Sequence, residues 1–169
     1  NALTSNTSGS YNTAIGLGSL SANTTGYSNV GVGANALDLN TTGSSNVAVG
    51  RDALLNNTTG GANIAIGGDP LYSNTSGNYN VAIGQESMYD NVDGDYNIAL
   101  GLRALLDNTS GGYNIALGYW ALRDNTSGGY NTAIGNSALQ NNETGTFNIS
   151  IGEQSMTLSE SGGSNVAIG

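Results

Sequence analysis

The sequence predicts an all-β solenoid built from 17-residue coils. Three observations predict it: a pentapeptide that recurs at one fixed interval, two glycines in every interval, and an apolar alternation of period two between them. The pentapeptides begin at Asn12, Asn29, Asn46, Asn63 and Asn80, and the series runs on through Asn97, Asn114, Asn131, Asn148 and Asn165. No insertion or deletion breaks the spacing. Written from its first Asn, the unit reads N-[VIT]-A-[IVL]-G-x-x-[AS]-[LM]-x-x-N-T-[ST]-G-x-x. Residues 1–169 form a single array: a partial unit over 1–11, nine full units over 12–164, and a partial unit over 165–169. Because the chain starts and stops inside a unit, it is expected to be a segment of a longer protein.

Unit positions 1 to 4 alternate Asn, β-branched, Ala, β-branched, which is the pattern of a strand. Val81 and Ile83 then share one face, and so do Ile98 and Leu100, while Asn80 and Ala82 share the other. The larger pair, with Leu or Met at position 9, is expected to supply three large buried side chains per coil. The column of Ala14, Ala48, Ala65, Ala82, Ala99, Ala116 and Ala133 is expected on the opposite face, small enough for another chain to approach closely. Position 5 is always Gly, as at Gly84, Gly101 and Gly118, which suggests a turn with positive φ or a close backbone approach. A second short strand is expected around positions 8 and 9, for example at Ala53-Leu54. It is followed by the turn N-T-[ST]-G, ending at Gly94, Gly111 and Gly128 among others. Two Gly per unit and the absence of a 3.6 period exclude helix.

Stacked coils repeat at ~4.8 Å, so ten of them span roughly 48 Å. The Asn columns, including Asn80, Asn97, Asn114 and Asn131, become amide ladders. Tyr79, Tyr96, Tyr113, Tyr130 and Phe147 at position 17 become an aromatic ladder. So thin a core per coil points to several chains side by side, three around a fibre axis, with a monomeric solenoid as the alternative.

Composition narrows function. No cysteine, histidine or lysine is present, which removes thiolate chemistry and the commonest general base. A net charge of −9 argues against nucleic acid as a partner, and no apolar run is long enough for membrane insertion by this segment.

At N-[VIT]-A-[IV]-G followed by [AS]-[LM], the chain resembles the head repeats of trimeric autotransporter adhesins of the YadA type. It is similar also to repeats in phage tail-fibre and other surface-fibre proteins. The resemblance covers the whole chain, and the extra residues here sit around N-T-[ST]-G. It implies a left-handed parallel β-roll, a homotrimeric rod, an extracellular location on a cell surface or virion, and attachment to a host or matrix.

Recognition would have to lie in the variable positions 6, 7, 10, 11 and 16. Tyr119 and Trp120, with Arg123 three residues on, are the candidate ligand-binding cluster, suited to surface glycans or a host receptor. Asp90, Asp107 and Asp124 share a column and repel, so Arg103 and Arg123 are expected to neutralise them. Asp90, Asp93 and Asp95 form the best oxygen-ligand group and are the candidate calcium site, and no other cofactor is expected. Asn6, Asn23, Asn40, Asn57, Asn74, Asn108, Asn125 and Asn142 head formal glycosylation sequons that the turn itself also needs. Adjacent Thr/Ser pairs do not make the flat Thr rows of an ice-binding surface.

The function expected is a non-enzymatic, structural and adhesive fibre shaft. The alternatives are a self-assembling extracellular matrix filament and a polysaccharide-depolymerising tail fibre. The last needs paired carboxylates, and Glu86, Glu143, Glu153 and Glu160 show none at matching positions.

Overall fold

The computed structural model describes residues 1–169. Ten three-residue strands follow one another: β1 (Thr13–Ile15), β2 (Val30–Val32), β3 (Val47–Val49), β4 (Ile64–Ile66), β5 (Val81–Ile83), β6 (Ile98–Leu100), β7 (Ile115–Leu117), β8 (Thr132–Ile134), β9 (Ile149–Ile151) and β10 (Val166–Ile168). They form one parallel sheet in sequence order. Each residue pairs with its copy seventeen positions on, as Val47 with Ile64 and Ala48 with Ala65. The chain is therefore a parallel β-solenoid of 17-residue coils, without helix.

Each coil carries one strand, and the second strand expected near positions 8 and 9 does not form. Positions 7 and 9 both hold positive φ, as at Asp52 (φ 54) and Leu54 (φ 53), or Glu86 (φ 54) and Met88 (φ 52). Two left-handed residues so close together fold the backbone into a turn. Coils remain hydrogen-bonded through this turn: Leu54 N donates to Pro70 O at 3.0 Å and Asp52 N to Ala34 O at 2.9 Å. Pro70 occupies position 8, where the N–H in other coils bonds only within its own turn, as Ala104 N does to Gly101 O. Its missing donor therefore costs no rung between coils.

The strand faces are the reverse of the expectation. Ala48, Ala65, Ala82, Ala99, Ala116 and Ala133 are fully buried, and the β-branched residues beside them point outward. Ile64, Ile66 and Ile83 are each 38% exposed, in the middle of the array. The interior holds one large apolar side chain per coil, from Leu20 and Leu37 through Met88 to Leu139. Around it sit the small residues of positions 3 and 8 and two Asn columns. Serines entering this core bond to backbone: Ser19 Oγ to Gly31 O at 2.9 Å and Ser150 Oγ to Ser155 O at 2.7 Å.

Both Asn columns form ladders. At position 12 the links run amide to amide, as Asn108 Nδ2 to Asn91 Oδ1 at 2.7 Å. At position 1 the rung is chiefly backbone to side chain: Asn97 N donates to Asn80 Oδ1, Asn114 N to Asn97 Oδ1 and Asn131 N to Asn114 Oδ1, at 2.9–3.0 Å. The position-15 glycine carbonyls join the columns. Gly94 O accepts from Asn80 and Asn91, Gly111 O from Asn97 and Asn108, and Gly128 O from Asn114 and Asn125. That glycine is required for space: a Cβ on Gly111 would lie 2.3 Å from Gly128 O and 2.4 Å from Asn108 Oδ1. The position-5 glycine is required twice over. Gly84, Gly101 and Gly118 have φ of 131, 134 and 138, and a Cβ on any of them would meet the next glycine's carbonyl at 2.5 Å.

The aromatic ladder forms as expected. Tyr79, Tyr96, Tyr113, Tyr130 and Phe147 stack with centroids 4.8–4.9 Å apart, which is the coil repeat. Threonines of position 13 spend their hydroxyls on the next coil's backbone, as Thr58 Oγ1 does on Thr75 O at 2.9 Å.

Candidate functional site

Irregular residues concentrate on one flank, past the position-5 turn from the outer strand face. Unit positions 6, 7, 10 and 11 of the coils that begin at Asn46, Asn63, Asn80, Asn97 and Asn114 carry all three arginines and the one tryptophan. The scaffold places them simply. Coils in exact register turn equal unit positions into a column with a spacing near 4.8 Å, and the turn directs these positions away from the core.

Tyr119, Trp120 and Arg123 come together, as their spacing suggested. The Tyr119 ring stacks on the Trp120 ring at 4.5 Å, inclined by 21°. The Arg123 guanidinium carbon lies 4.9 Å from the Trp120 centroid, within cation–π range. Arg123 Nη2 also donates to Asp124 Oδ2 at 2.7 Å, and that hydrogen bond pushes the arginine's pKa further up. Trp120 Nε1 is buried and has no acceptor in the chain.

The Asp90, Asp107 and Asp124 column is neutralised at one end only. Arg123 bonds Asp124, while Arg103, the other expected counter-ion, donates Nε to Glu86 Oε2 at 2.6 Å instead. Asp107 therefore keeps a raised pKa. Its burial is the largest cause, Asp124 and Asp90 add to it, and Arg123 opposes it. Asp90 is raised by burial too, against a hydrogen bond from Ser73.

A second charged column was not singled out from the sequence. Asp52, Asp69 and Glu86 all occupy position 7, so Glu86 does have matched acidic partners, and Glu143 and Glu160 likewise share position 13 of successive coils. Arg51 bridges the first two, with Nη1 3.3 Å from Asp52 Oδ2 and Nη2 2.5 Å from Asp69 Oδ2. Burial raises the Asp69 carboxyl and Arg51 opposes the rise. The hydrogen bond from Arg103 lowers Glu86. The signal for this column in the sequence is the 17-residue spacing of its acids, the same spacing that relates Asp90, Asp107 and Asp124. Tyr72 and Tyr89 at position 10 stack beside it, centroids 4.8 Å apart and rings within 4° of parallel. Between the two columns lies an open hollow of about 660 Å³.

The candidate calcium ligands are not gathered. Asp90 faces this hollow, whereas Asp93 and Asp95 line a different one, beside Tyr113 and Tyr130. Asp95 Oδ1 there accepts from the Asn78 backbone N–H at 2.6 Å. No three acidic side chains in the fold are grouped to hold a metal ion. The sequon asparagines from Asn23 to Asn142 are fully buried in the position-12 ladder, leaving Asn6 as the exposed one.

Chemically the flank offers fixed guanidinium donors, carboxylate acceptors and aromatic edges in rows along the rod. Comparison with family models, curated proteins and solved structures finds no match for this chain, so the reading of its role rests on this geometry.

Proposed function

We propose that the chain is a shaft segment of an extracellular fibre, a homotrimeric rod of left-handed coils that spaces and presents an attachment surface. The observation that carries this is the outward face of the sheet. Positions 2 and 4 of all ten strands hold Val, Ile, Leu or Thr and no charged residue, in two columns running the length of the array. A sheet face meant for water alternates apolar-in with polar-out, so an outward apolar ribbon fits a covering partner. Another copy of the same chain matches it rung for rung, because both surfaces share the coil repeat. Three ribbons turned toward a common axis bury all of them with closed symmetry. The resemblance to trimeric adhesin repeats supports the same number and the left-handed winding.

The test is the mass of the purified array by light scattering and sedimentation, with and without charges on the ribbon. A discrete trimer that the double variant Ile66→Lys, Ile83→Lys converts to monomer with the same β circular dichroism supports the reading. A wild-type monomer overturns the fibre assignment. Open-ended growth replaces it with a self-assembling filament.

A further inference from the structure

We infer that the flank formed by unit positions 6, 7, 10 and 11 is an extended binding groove for a neutral oligosaccharide. This deepens the attachment role proposed above and rests on that reading only for the idea of surface contact.

The scaffold does not ask for these residues. At the same position 7, other coils carry Asn35, Ser137 or Gln154, and they stack in the same register. Charge is nonetheless concentrated here. Six of the twelve acidic residues and every arginine lie on this flank, in five consecutive coils. Asp69, Asp90 and Asp107 stand among these charges with carboxyls raised chiefly by burial, so holding those three ionised on the flank works against the fold. A ligand that uses them gives the arrangement a reason.

The hydrogen-bonding pattern selects the ligand class. Arg51 is held between Asp52 and Asp69, and Arg103 is held on Glu86. Each guanidinium is thereby fixed in place. Its partners use only part of its five donors, and each carboxylate keeps lone pairs free. Acceptors at Asp52, Asp69 and Glu86 thus follow one another at the spacing of the coils, with the Arg51 donors beside the first two and the Arg103 donors at the end of the row. Vicinal hydroxyls, which both donate and accept, answer such a row, and planar carboxylate and guanidinium groups bind them two at a time. Tyr72 and Tyr89 supply a rigid aromatic wall to the hollow, as sugar and cofactor clefts commonly require.

Charge then excludes the other candidates. Around the hollow, Asp52, Asp69, Glu86 and Asp90 outnumber Arg51 and Arg103, so uronic and sialic acids are repelled. The paired arginines occupy the places a metal ion would need, and no three carboxylates converge on a point. The hollow is lined from Arg51 to Leu106 by four successive coils. Three coil intervals are about 14 Å of rod, which calls for a chain of several sugars and not a monosaccharide.

The experiment is calorimetric titration of the intact array with neutral tetrasaccharides (cellotetraose, maltotetraose, laminaritetraose and chitotetraose). Tetragalacturonate, calcium chloride and tetralysine serve as charged comparators. Binding of at least one neutral tetrasaccharide is expected, weakened about tenfold or more by Glu86→Gln and by Arg51→Gln. Asp93→Asn, on the other hollow, is expected to leave it unchanged. Circular dichroism of each variant separates lost binding from lost folding. The assignment is overturned if no neutral tetrasaccharide binds, if the groove variants bind as well as wild type, or if a charged comparator binds more tightly. Oligomeric mass, measured on the same samples, reports the trimer separately, so either idea can fail alone.

Discussion

Asn57 donates its side-chain amide to Asn40 Oδ1, one coil away, at 2.7 Å, and the same nitrogen reaches Gly60 O at 2.9 Å. Asn74 in turn donates to Asn57 Oδ1 at 2.8 Å, so the residue is a link in a buried chain of amides. Asn57→Ala strands the Asn40 oxygen without water or a partner. The expected cost is about 1–3 kcal/mol, the usual penalty for an orphaned buried polar group. Denaturant unfolding reads the total. Hydrogen exchange should localise the weakening to the adjoining coils, because repeat arrays lose stability locally. An unchanged midpoint would show the ladder to be energetically idle.

Two glycines of the same neighbourhood should behave oppositely. Gly84→Ala places a Cβ 2.5 Å from Gly101 O at φ 131, so the array should lose its cooperative unfolding transition. Gly68 has ordinary φ, and a Cβ there would meet only Gln85 Cγ at 3.9 Å. Gly68→Ala should be neutral or stabilising by about 0.4–1 kcal/mol through the unfolded state. Thermal melts of the pair check both.

The pH response of the charged flank has two signs. Asp107 is pushed above its ordinary 3.8 by burial, helped by Asp124 and Asp90. Folding therefore favours its protonated form. That contribution is fully present below the ordinary value and is lost as pH rises through the raised one. Asp107→Asn should raise the melting temperature at pH 7, by no more than about 2–4 °C given its partial exposure, and the gain should vanish in acid. Glu86 is lowered from 4.5 by its bond with Arg103. Its contribution is present above that value and is lost as pH falls through the lowered one. Glu86→Gln should accordingly destabilise at pH 7 and approach wild type in acid. Melts of both variants across pH 3–8 test the opposition of sign.

Tyr113 sits in the middle of the aromatic ladder, stacked on Tyr96 at 4.9 Å and on Tyr130 at 4.8 Å. Its backbone is left-handed, with φ 61. Tyr113→Ala removes two ring pairs and keeps the backbone strain, so a loss of about 1–3 kcal/mol is expected. Tyr113→Gly removes the same pairs and relieves the strain, and should cost less. Equal losses would mean that the left-handed backbone adds no cost here.

Much of this protein was legible without coordinates because a strict repeat converts sequence positions into spatial columns. The 17-residue period fixed the coil, the ten-rung parallel register, both Asn columns and the Tyr79 to Phe147 stack. It also showed that Tyr119, Trp120 and Arg123 would meet on one flank. Asp52, Asp69 and Glu86 share the same spacing but were missed, because position 7 also holds Gly18, Asn35, Arg103, Trp120, Ser137 and Gln154 and so has no consensus residue to mark the column.

What the tertiary structure decided was which side of each strand is inside. Period-two alternation defines two faces and leaves open which of them is buried. Val81 and Ile83 look like core, and Asn80 and Ala82 look like surface, when each is judged by its own side chain. Closing a coil in seventeen residues brings the walls too near for two β-branched side chains beside a leucine. Ala and Leu fill that space, and the Asn amides satisfy one another there through neighbouring coils and the glycine carbonyls. Only the closed coil brings those partners together, so the inversion that leaves an apolar ribbon outside belongs to the fold and not to any residue alone.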